Sequence, residues 1–200
     1  MGRPRTFDET AVLRAAAGEF RVHGFAGTST EQLCEAAGVR RSSLYNAFIS
    51  KDELFVRALE HYVAAVRERQ TAILADDARP GGDRLRALID VVIDEERDSF
   101  QRGRAAGCMV VQSFMDPDLR GRDGRVARIL GRDLRERTAL LADAIQAGRR
   151  DGSVAGGVEP DEGAMLVNTI ISGLRVTAQS DAAPDTLRRI ALAGLHALLN

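Results

Sequence analysis

Six polar side chains in the first quarter of the chain have the chemistry needed to bind DNA. They are Arg40, Arg41, Ser42, Ser43, Tyr45 and Asn46. An arginine can donate two hydrogen bonds to a guanine edge, an asparagine can pair with an adenine edge, and hydroxyl groups bind phosphate oxygens. We expect Arg41 to read guanine and Asn46 to read adenine, although contacts of both to the DNA backbone alone remain open. The residue types at this spacing favour a helix that enters the major groove.

Two short predicted helices position these side chains. The first is capped by Ser29 or Thr30 and ends at Gly38, and the second carries Leu44 in its interior. Leu33 and Leu44 are spaced to pack the two helices together across the tight turn at Gly38. Two short helices joined in this way are the layout of a helix-turn-helix.

The remaining sequence predicts an all-α fold of about nine helices, because apolar residues recur at spacings of three and four. The break at Pro80-Gly81-Gly82 is the clearest interruption. We expect a helix-turn-helix DNA-binding domain over residues 1–66 and a larger helical domain over residues 67–200. The connection past Pro80 is the predicted transmitter between the two.

The N-terminal motifs resemble those of the TetR family of regulators over about residues 6 to 66. The resemblance is carried by Thr28-Ser29 through Leu33, Ala36-Ala37-Gly38-Val39, Ser43-Leu44-Tyr45, Phe48 and Lys51-Asp52-Glu53-Leu54-Phe55. It implies that Thr28, Tyr45 and Lys51 contact phosphates and that Arg40, Arg41, Ser42 and Asn46 are base-reading candidates. Ser29 and Ser43 belong to the same predicted DNA-binding set. Arg3 and Arg5 form either a basic arm that reaches the DNA or a solvated tail.

The same resemblance implies a homodimeric repressor that a small molecule releases from double-stranded operator DNA. The predicted lining of a mainly apolar effector pocket consists of Phe100, Met109, Gln112, Phe114 and Asn168. Ordinary core packing is the alternative for each of them. The predicted dimer interface lies on the last two helices and consists of Ile170, Ile171, Leu174, Leu187, Ile190, Leu195 and Leu198.

A TetR-like redox sensor that acts through Cys108 or Cys34 is the alternative function. Arg102 and Arg104 precede Cys108 closely enough to favour its thiolate, whereas a buried cysteine is usually inert. The two cysteines do not form a Cys-x-x-Cys pair, which favours a reducing compartment.

Several function classes are disfavoured by the sequence. No nucleophile elbow, phosphate loop or metal-ligand spacing is present, so we expect neither an enzyme nor a bound cofactor or metal. The acidic run Asp94-Glu95-Glu96 is expected to be a solvated helix face, because consecutive helical residues point in different directions. No apolar segment is long enough to cross a bilayer, so a cytoplasmic location without membrane contact is expected. The net charge of -1 leaves DNA binding to the local cluster of basic residues near the N-terminus.

Overall fold

The computed structural model describes residues 8–101, 107–180 and 182–200, and these residues are predominantly helical. The helices are α1 (Glu9–Gly27), α2 (Thr30–Ala37), α3 (Arg41–Phe48), α4 (Lys51–Leu74), α5 (Gly81–Gln101), α6 (Met109–Met115), α7 (Pro117–Arg122), α8 (Gly124–Asp151), α9 (Pro160–Thr177) and α10 (Pro184–Leu195). A short 3-10 turn, Ala178–Ser180, follows α9. The predicted all-α class is confirmed.

Capping residues mark the start of α1 and both ends of α2. Asp8 accepts a hydrogen bond from the Ala11 backbone N–H at the start of α1. Ser29 caps α2 in a reciprocal arrangement with Gln32, which satisfies N–H groups that lack partners inside the helix. Gly38 ends α2 with φ 64° and ψ 31°, a left-handed conformation that costs other residues free energy. These caps fix the angle between α2 and α3.

The described part of the chain contains ten α-helices, one more than the sequence predicted. The additional helix is α7, which comprises only six residues and is polar apart from the buried Leu119. Asp116 caps it by accepting from the Leu119 backbone N–H. A single buried apolar residue gives no periodic pattern, so this helix was missed.

The described residues form two hydrophobic clusters, and both α4 and α8 contribute to each cluster. The first cluster joins α1, α2 and α3 to α6, α7 and the beginning of α8. The second joins the end of α4 to α5, α9, α10 and the latter half of α8. Because α4 runs unbroken through residue 66, the first three helices are attached to the rest of the chain by continuous helix and shared core.

The connection past Pro80 is hydrogen-bonded to residues at the C-terminal end of α8. The Gly81 N–H donates to Asp151 Oδ2 at 2.8 Å, and the Gly82 N–H donates to Ser153 Oγ at 2.8 Å. A Cβ on Gly81 would lie 2.3 Å from the Ala144 carbonyl oxygen, so this close approach requires glycine. The predicted transmitter therefore packs against the end of α8 and not against the first three helices.

Candidate functional site

The helix α3 separates a buried apolar face from an exposed polar face. Leu44 and Phe48 are buried against the first core cluster. Arg40, Ser42 and Asn46 are exposed. Truncating a buried leucine to alanine typically costs about 2–5 kcal/mol, so Leu44 fixes which side of the helix faces out. Among the other predicted DNA contacts, Arg41 and Ser29 are exposed, and Ser43 is partly buried.

Arg41 and Tyr45 form a small ordered cluster on this helix. The Tyr45 hydroxyl lies 3.2 Å from the Thr30 hydroxyl, which ties α3 to α2. The Arg41 guanidinium lies 5.6 Å from the centre of the Tyr45 ring and 3.7 Å from a Glu31 carboxylate oxygen. The hydrogen bond with Thr30 is the main cause that lowers the pKa of Tyr45, followed by one with Arg41. The cluster holds two predicted DNA contacts in a defined geometry before DNA arrives.

A contact between Thr28 and Lys51 joins the end of α1 to the start of α4. The Lys51 Nζ donates to the Thr28 carbonyl oxygen at 2.6 Å and lies 4.5 Å from the centre of the Phe25 ring. Burial lowers the pKa of Lys51. The Thr28 hydroxyl donates to the Gly24 carbonyl oxygen at 2.6 Å, and Thr28 is only 1% exposed. Its hydroxyl thus serves internal packing, whereas Lys51 has three donors and uses one of them here.

A cavity of about 590 Å³ lies among α4, α6, α8 and α9. Its wall is mainly apolar, with a few polar side chains, as is typical of small-molecule sites. The lining residues are Tyr62, Val66, Gln70, Cys108, Val110, Val111, Phe114, Met115, Asp133, Leu134, Arg137, Met165, Asn168, Thr169, Ile171, Ser172, Gly173, Arg175, Val176 and Thr177.

A buried ion-pair network lies at one side of this cavity. Arg175 is 4% exposed and donates to the carboxylates of both Glu95 and Glu96. Arg69 also pairs with Glu95, at 2.9 Å. The expected solvated face at Asp94-Glu95-Glu96 is therefore wrong for Glu95 and Glu96, because a buried cation on α9 draws both carboxylates inward.

Tyr62 and Cys108 face each other on the cavity wall. The Tyr62 hydroxyl donates to Cys108 Sγ at 3.7 Å. Burial raises the pKa of Tyr62, so its hydroxyl remains protonated at neutral pH. The Arg21 guanidinium from α1 lies 5.5 Å from the centre of the Tyr62 ring. These contacts connect the cavity to the first helix.

Family models match both the N-terminal and the C-terminal part of the chain. Residues 12–58 match the family model described as bacterial regulatory proteins, tetR family. Residues 81–193 match the model described as Tetracyclin repressor-like, C-terminal domain, which covers more than half of the chain. The chain belongs to the TetR family. The predictions of this family and of a DNA-binding transcription regulator are confirmed.

Individual TetR-family proteins are similar over different lengths. The HTH-type transcriptional repressor BdcR of Escherichia coli K12 is 37% identical over 61% of this chain, and the match spans 60% of BdcR. The HTH-type transcriptional repressor ComR of the same organism is 27% identical, over 95% of this chain and 88% of ComR. A cysteine mutant of the regulator CifR, solved with 26-bp operator DNA, superposes with a TM-score of 0.80 and 28% identity, over 98% of this chain and 99% of that chain.

The predicted pocket residues of this TetR-family chain divide into two groups. Phe114 and Asn168 line the cavity. Met109 is 1% exposed in the first core cluster, and Gln112 turns toward α1, where its Nε2 donates to the Arg21 carbonyl oxygen at 2.8 Å. Neighbouring positions on the short helix α6 face different partners. Because most of its residues are apolar, the sequence did not show which of them line the cavity. The side chain of Phe100 lies outside the described part of the structure.

Most of the predicted dimer contacts lie inside the protomer's own core. Ile171, Leu174, Leu187, Leu195 and Leu198 are buried in the second cluster, and Ile170 is partly buried against it. They face inward because α9 and α10 pack against α5 and α8. Ile190 alone of the seven is exposed, at 61%. The apolar side chains that α9 exposes are instead Met165, Leu166 and Val176.

Apart from Asn168, which was predicted, sequence reasoning missed the main polar and charged side chains of the cavity in this TetR-family chain. Tyr62, Asp133, Arg137 and Arg175 sit in helices whose apolar pattern gives no sign of them. A charged residue at an inward position of an apolar helix was the available signal for Asp133 and Arg175, since such a residue needs a buried partner.

Two further predictions concern residues that the structure does not describe. Arg3 and Arg5, the predicted basic arm, lie outside the described residues, as do Arg102 and Arg104 beside Cys108. Among the described helices, none has the length and apolarity that a bilayer crossing requires.

Proposed function

We propose that this chain is a repressor that binds operator DNA as a homodimer and is released when a small molecule occupies the cavity among α4, α6, α8 and α9. One observation carries the proposal: the segment 107–112 is both cavity wall and contact surface for the DNA-binding helices. Cys108, Val110 and Val111 line the cavity. The adjoining Gly107 is hydrogen-bonded to α1 in both directions, at 3.0 Å and 2.8 Å.

This arrangement gives a direct route for release. A ligand that displaces the cavity wall also moves the contacts of Arg21, and α1 packs against both α2 and α4 in the first cluster. Release requires the ligand to favour a conformation that fits the operator less well, and typical coupling of about 1–3 kcal/mol weakens DNA binding by about 5- to 150-fold. We propose α6 as the transmitter in place of the Pro80 connection.

The structure supports a division of labour among the predicted DNA contacts. Arg40, Arg41, Ser42 and Asn46 are the base-reading candidates, because α3 presents them to solvent. We propose that Tyr45, Ser29, Ser43 and Lys51 bind phosphates and fix the register. Thr28 supports them from inside by accepting the hydrogen bond of Lys51.

A homodimer supplies the second reading helix, because one α3 reaches only half of an operator. We propose that the exposed apolar residues of α9 and α10, Leu166 and Ile190 among them, form the contact between protomers. The protein would act on DNA in the cytoplasm.

Selection from random duplex DNA tests this function. An inverted repeat should be enriched, and light scattering of the complex should show an even number of chains per duplex. Failure to enrich any sequence would contradict operator recognition, and one chain per duplex would contradict the dimer.

Control through a thiol is the second candidate, and the position of Cys108 favours it. Its sulfur lines the cavity beside the Tyr62 hydroxyl. Cys34 is less suited to this role, because burial raises the pKa of its thiol and so reduces the reactive thiolate. If oxidants release the operator, Cys108→Ser should abolish that response and Cys34→Ser should preserve it. An oxidant response that survives Cys108→Ser would exclude this mechanism.

A further inference from the structure

The charged side chains on the cavity wall are already neutralised by groups of this chain. Arg137 Nη1 donates to Asp133 Oδ2 at 3.2 Å, and Arg137 Nε donates to Asn168 Oδ1 at 2.7 Å. Asp133 is 5% exposed and Asn168 is 4% exposed. Arg175 is bound by Glu95 and Glu96. Among the residues that the structure describes, the cations that line the cavity are Arg137 and Arg175, and each has a carboxylate partner from within the chain.

This pairing penalises a charged ligand of either sign. A ligand carboxylate would lose its hydration on entering the cavity, where the arginines already bind carboxylates of the chain. It would also lie near the negative charge of Asp133. An ammonium group would have to compete with Arg137 or Arg175 for the same carboxylates. A buried charge without a partner is costly, so neither ion gains enough to replace its hydration.

Tyr62 offers the wall a neutral hydrogen-bond donor. In the described part of the structure, its hydroxyl donates to the Cys108 sulfur at 3.7 Å. A thiol sulfur is a weak acceptor, so a ligand oxygen would accept this proton more favourably.

We infer that the cavity selects an uncharged, mainly apolar molecule that carries a hydrogen-bond acceptor within reach of Tyr62, and that it rejects carboxylates and ammonium compounds of the same skeleton. The inference deepens the proposed function and rests on it, because it names the chemical class of the effector.

Three probes of nearly equal shape test this selectivity: acetonaphthone, naphthoate and naphthylethylammonium. Calorimetry on the full chain should show that the ketone binds at least about tenfold more tightly than either ion, a difference of about 1.4 kcal/mol. Tyr62→Phe should weaken ketone binding by about 2- to 10-fold, which corresponds to one hydrogen bond.

Charge variants of the wall provide the sharper test. Asp133→Asn leaves Arg137 without its carboxylate partner. The affinity for naphthoate should therefore rise at least about tenfold relative to the affinity for the ketone. Arg137→Gln removes the cation that is hydrogen-bonded to Asp133 and leaves only the more distant charge of Arg67, so naphthylethylammonium should instead gain affinity relative to the ketone. The matched control is Asp143→Asn, an exposed aspartate on the same helix, which should change neither preference. Thermal melting identifies any variant that does not fold, and the opposite variant then tests the same prediction.

The outcomes separate the inference from the proposed function. If either ion binds the unmodified chain as tightly as the ketone, the inference is wrong, while loss of operator binding on addition of that ion would still support ligand release. If the charge variants leave the probe order unchanged, the inference is also wrong. If none of the three probes binds, both the inference and the role of the cavity in release are contradicted.

Discussion

The Nε of Arg21 donates a hydrogen bond of 2.8 Å to the carbonyl oxygen of Gly107, while the Gly107 N–H donates back to the Arg21 carbonyl at 3.0 Å. This reciprocal pair joins α1 to the residues that precede α6. The Gln112 Nε2 also donates to the Arg21 carbonyl, so three hydrogen bonds join α1 to this segment. The helix α1, which packs against α2 in the first core cluster, is therefore hydrogen-bonded to the segment that lines the cavity.

Arg21→Gln should weaken the coupling between the DNA-binding helices and α6 while leaving the fold intact. The variant loses the hydrogen bond to the Gly107 carbonyl, which costs about 1 kcal/mol, and the contact with the Tyr62 ring, whereas the two bonds to the Arg21 carbonyl remain. In the wild-type chain, operator DNA should alter hydrogen exchange of the α6 amides, and in the variant this response should shrink. Arg14→Gln, an exposed arginine on the same helix, is the matched control and should respond like the wild type. An undiminished α6 response in Arg21→Gln would exclude Arg21 from this coupling.

Asp151 predicts a specific acid dependence of stability. Its carboxylate accepts from the backbone N–H groups of Gly81 and Ser153, at 2.8 Å and 2.9 Å. Hydrogen bonds from Ser153 and Gly81 lower the pKa of Asp151 below its ordinary value of 3.8. The folded chain thus binds fewer protons than the unfolded chain, so this contribution is complete above about pH 3.8 and is lost as the pH falls through the folded-state pKa.

Urea titrations across this pH range provide the measurement. Asp151→Asn should have a lower unfolding midpoint than the wild type at neutral pH, and the gap should narrow below pH 3.8. Asp143→Asn, at an exposed site, should show no such gap. A gap for Asp151→Asn that stays constant with pH would refute the assignment.

Ile190 distinguishes the dimer surface from the protomer core. It is 61% exposed, whereas Leu195 on the same helix is 0% exposed. Ile190→Arg should give folded monomers with operator affinity reduced by at least about tenfold, because each monomer reads one half-site. Leu195→Arg should instead unfold the chain, since it buries an unpaired charge.

Light scattering and circular dichroism separate these two effects. Ile49→Arg is the control, because Ile49 is also an exposed isoleucine, at 82%, and lies at the end of α3. It should remain dimeric. A dimeric Ile190→Arg would place the interface elsewhere.

Ile49 occupies a strained backbone position. Its φ is 60° and its ψ is -46°, and the Ser50 N–H donates to the Phe48 carbonyl at 2.5 Å, which forms a tight γ-turn. This turn is strained for a β-branched residue, and such positions cost about 1–3 kcal/mol. Ile49→Gly should therefore raise the free energy of unfolding by about 1 kcal/mol, after the added chain entropy of glycine is subtracted.

The comparison variant for this prediction is Gly38→Ala. Gly38 has φ 64° and ψ 31°, so an added Cβ should lower the free energy of unfolding by about 1–2 kcal/mol. Chemical denaturation measures both variants. Destabilisation by Ile49→Gly would show that the isoleucine side chain contributes more than the turn costs.

The helix-turn-helix formed by α2 and α3, with its flanking helices, was predictable because local sequence determines it. Asp8, Ser29 and Ser50 cap helices through bonds to residues three positions away, and Gly38 ends α2 by its own conformation. Leu33 and Leu44 meet in the first core cluster, as their spacing predicted. Short-range rules suffice for such features.

The cavity and the dimer surface were less predictable because they depend on pairings between distant helices. Arg175 meets Glu96 across 79 positions of sequence, and Arg137 meets Asn168 across 31. Helical periodicity showed that α9 and α10 are amphipathic, but the apolar face it identified is the one that packs inside the protomer. The outward residue Ile190 has no distinguishing sequence signal.

Base-by-base substitution of the selected operator tests the central claim, that α3 reads DNA as a pair related by twofold symmetry. Binding to each substituted duplex is measured for the wild type, Arg41→Ala and Tyr45→Phe. Arg41→Ala should lose about 1–3 kcal/mol of discrimination at one base step in each half-site and keep it elsewhere. Tyr45→Phe should weaken binding to every duplex by a similar factor, since phosphate contacts carry no base preference. If Arg41→Ala retains the wild-type preference at every position, α3 does not read the operator through Arg41 as the account requires.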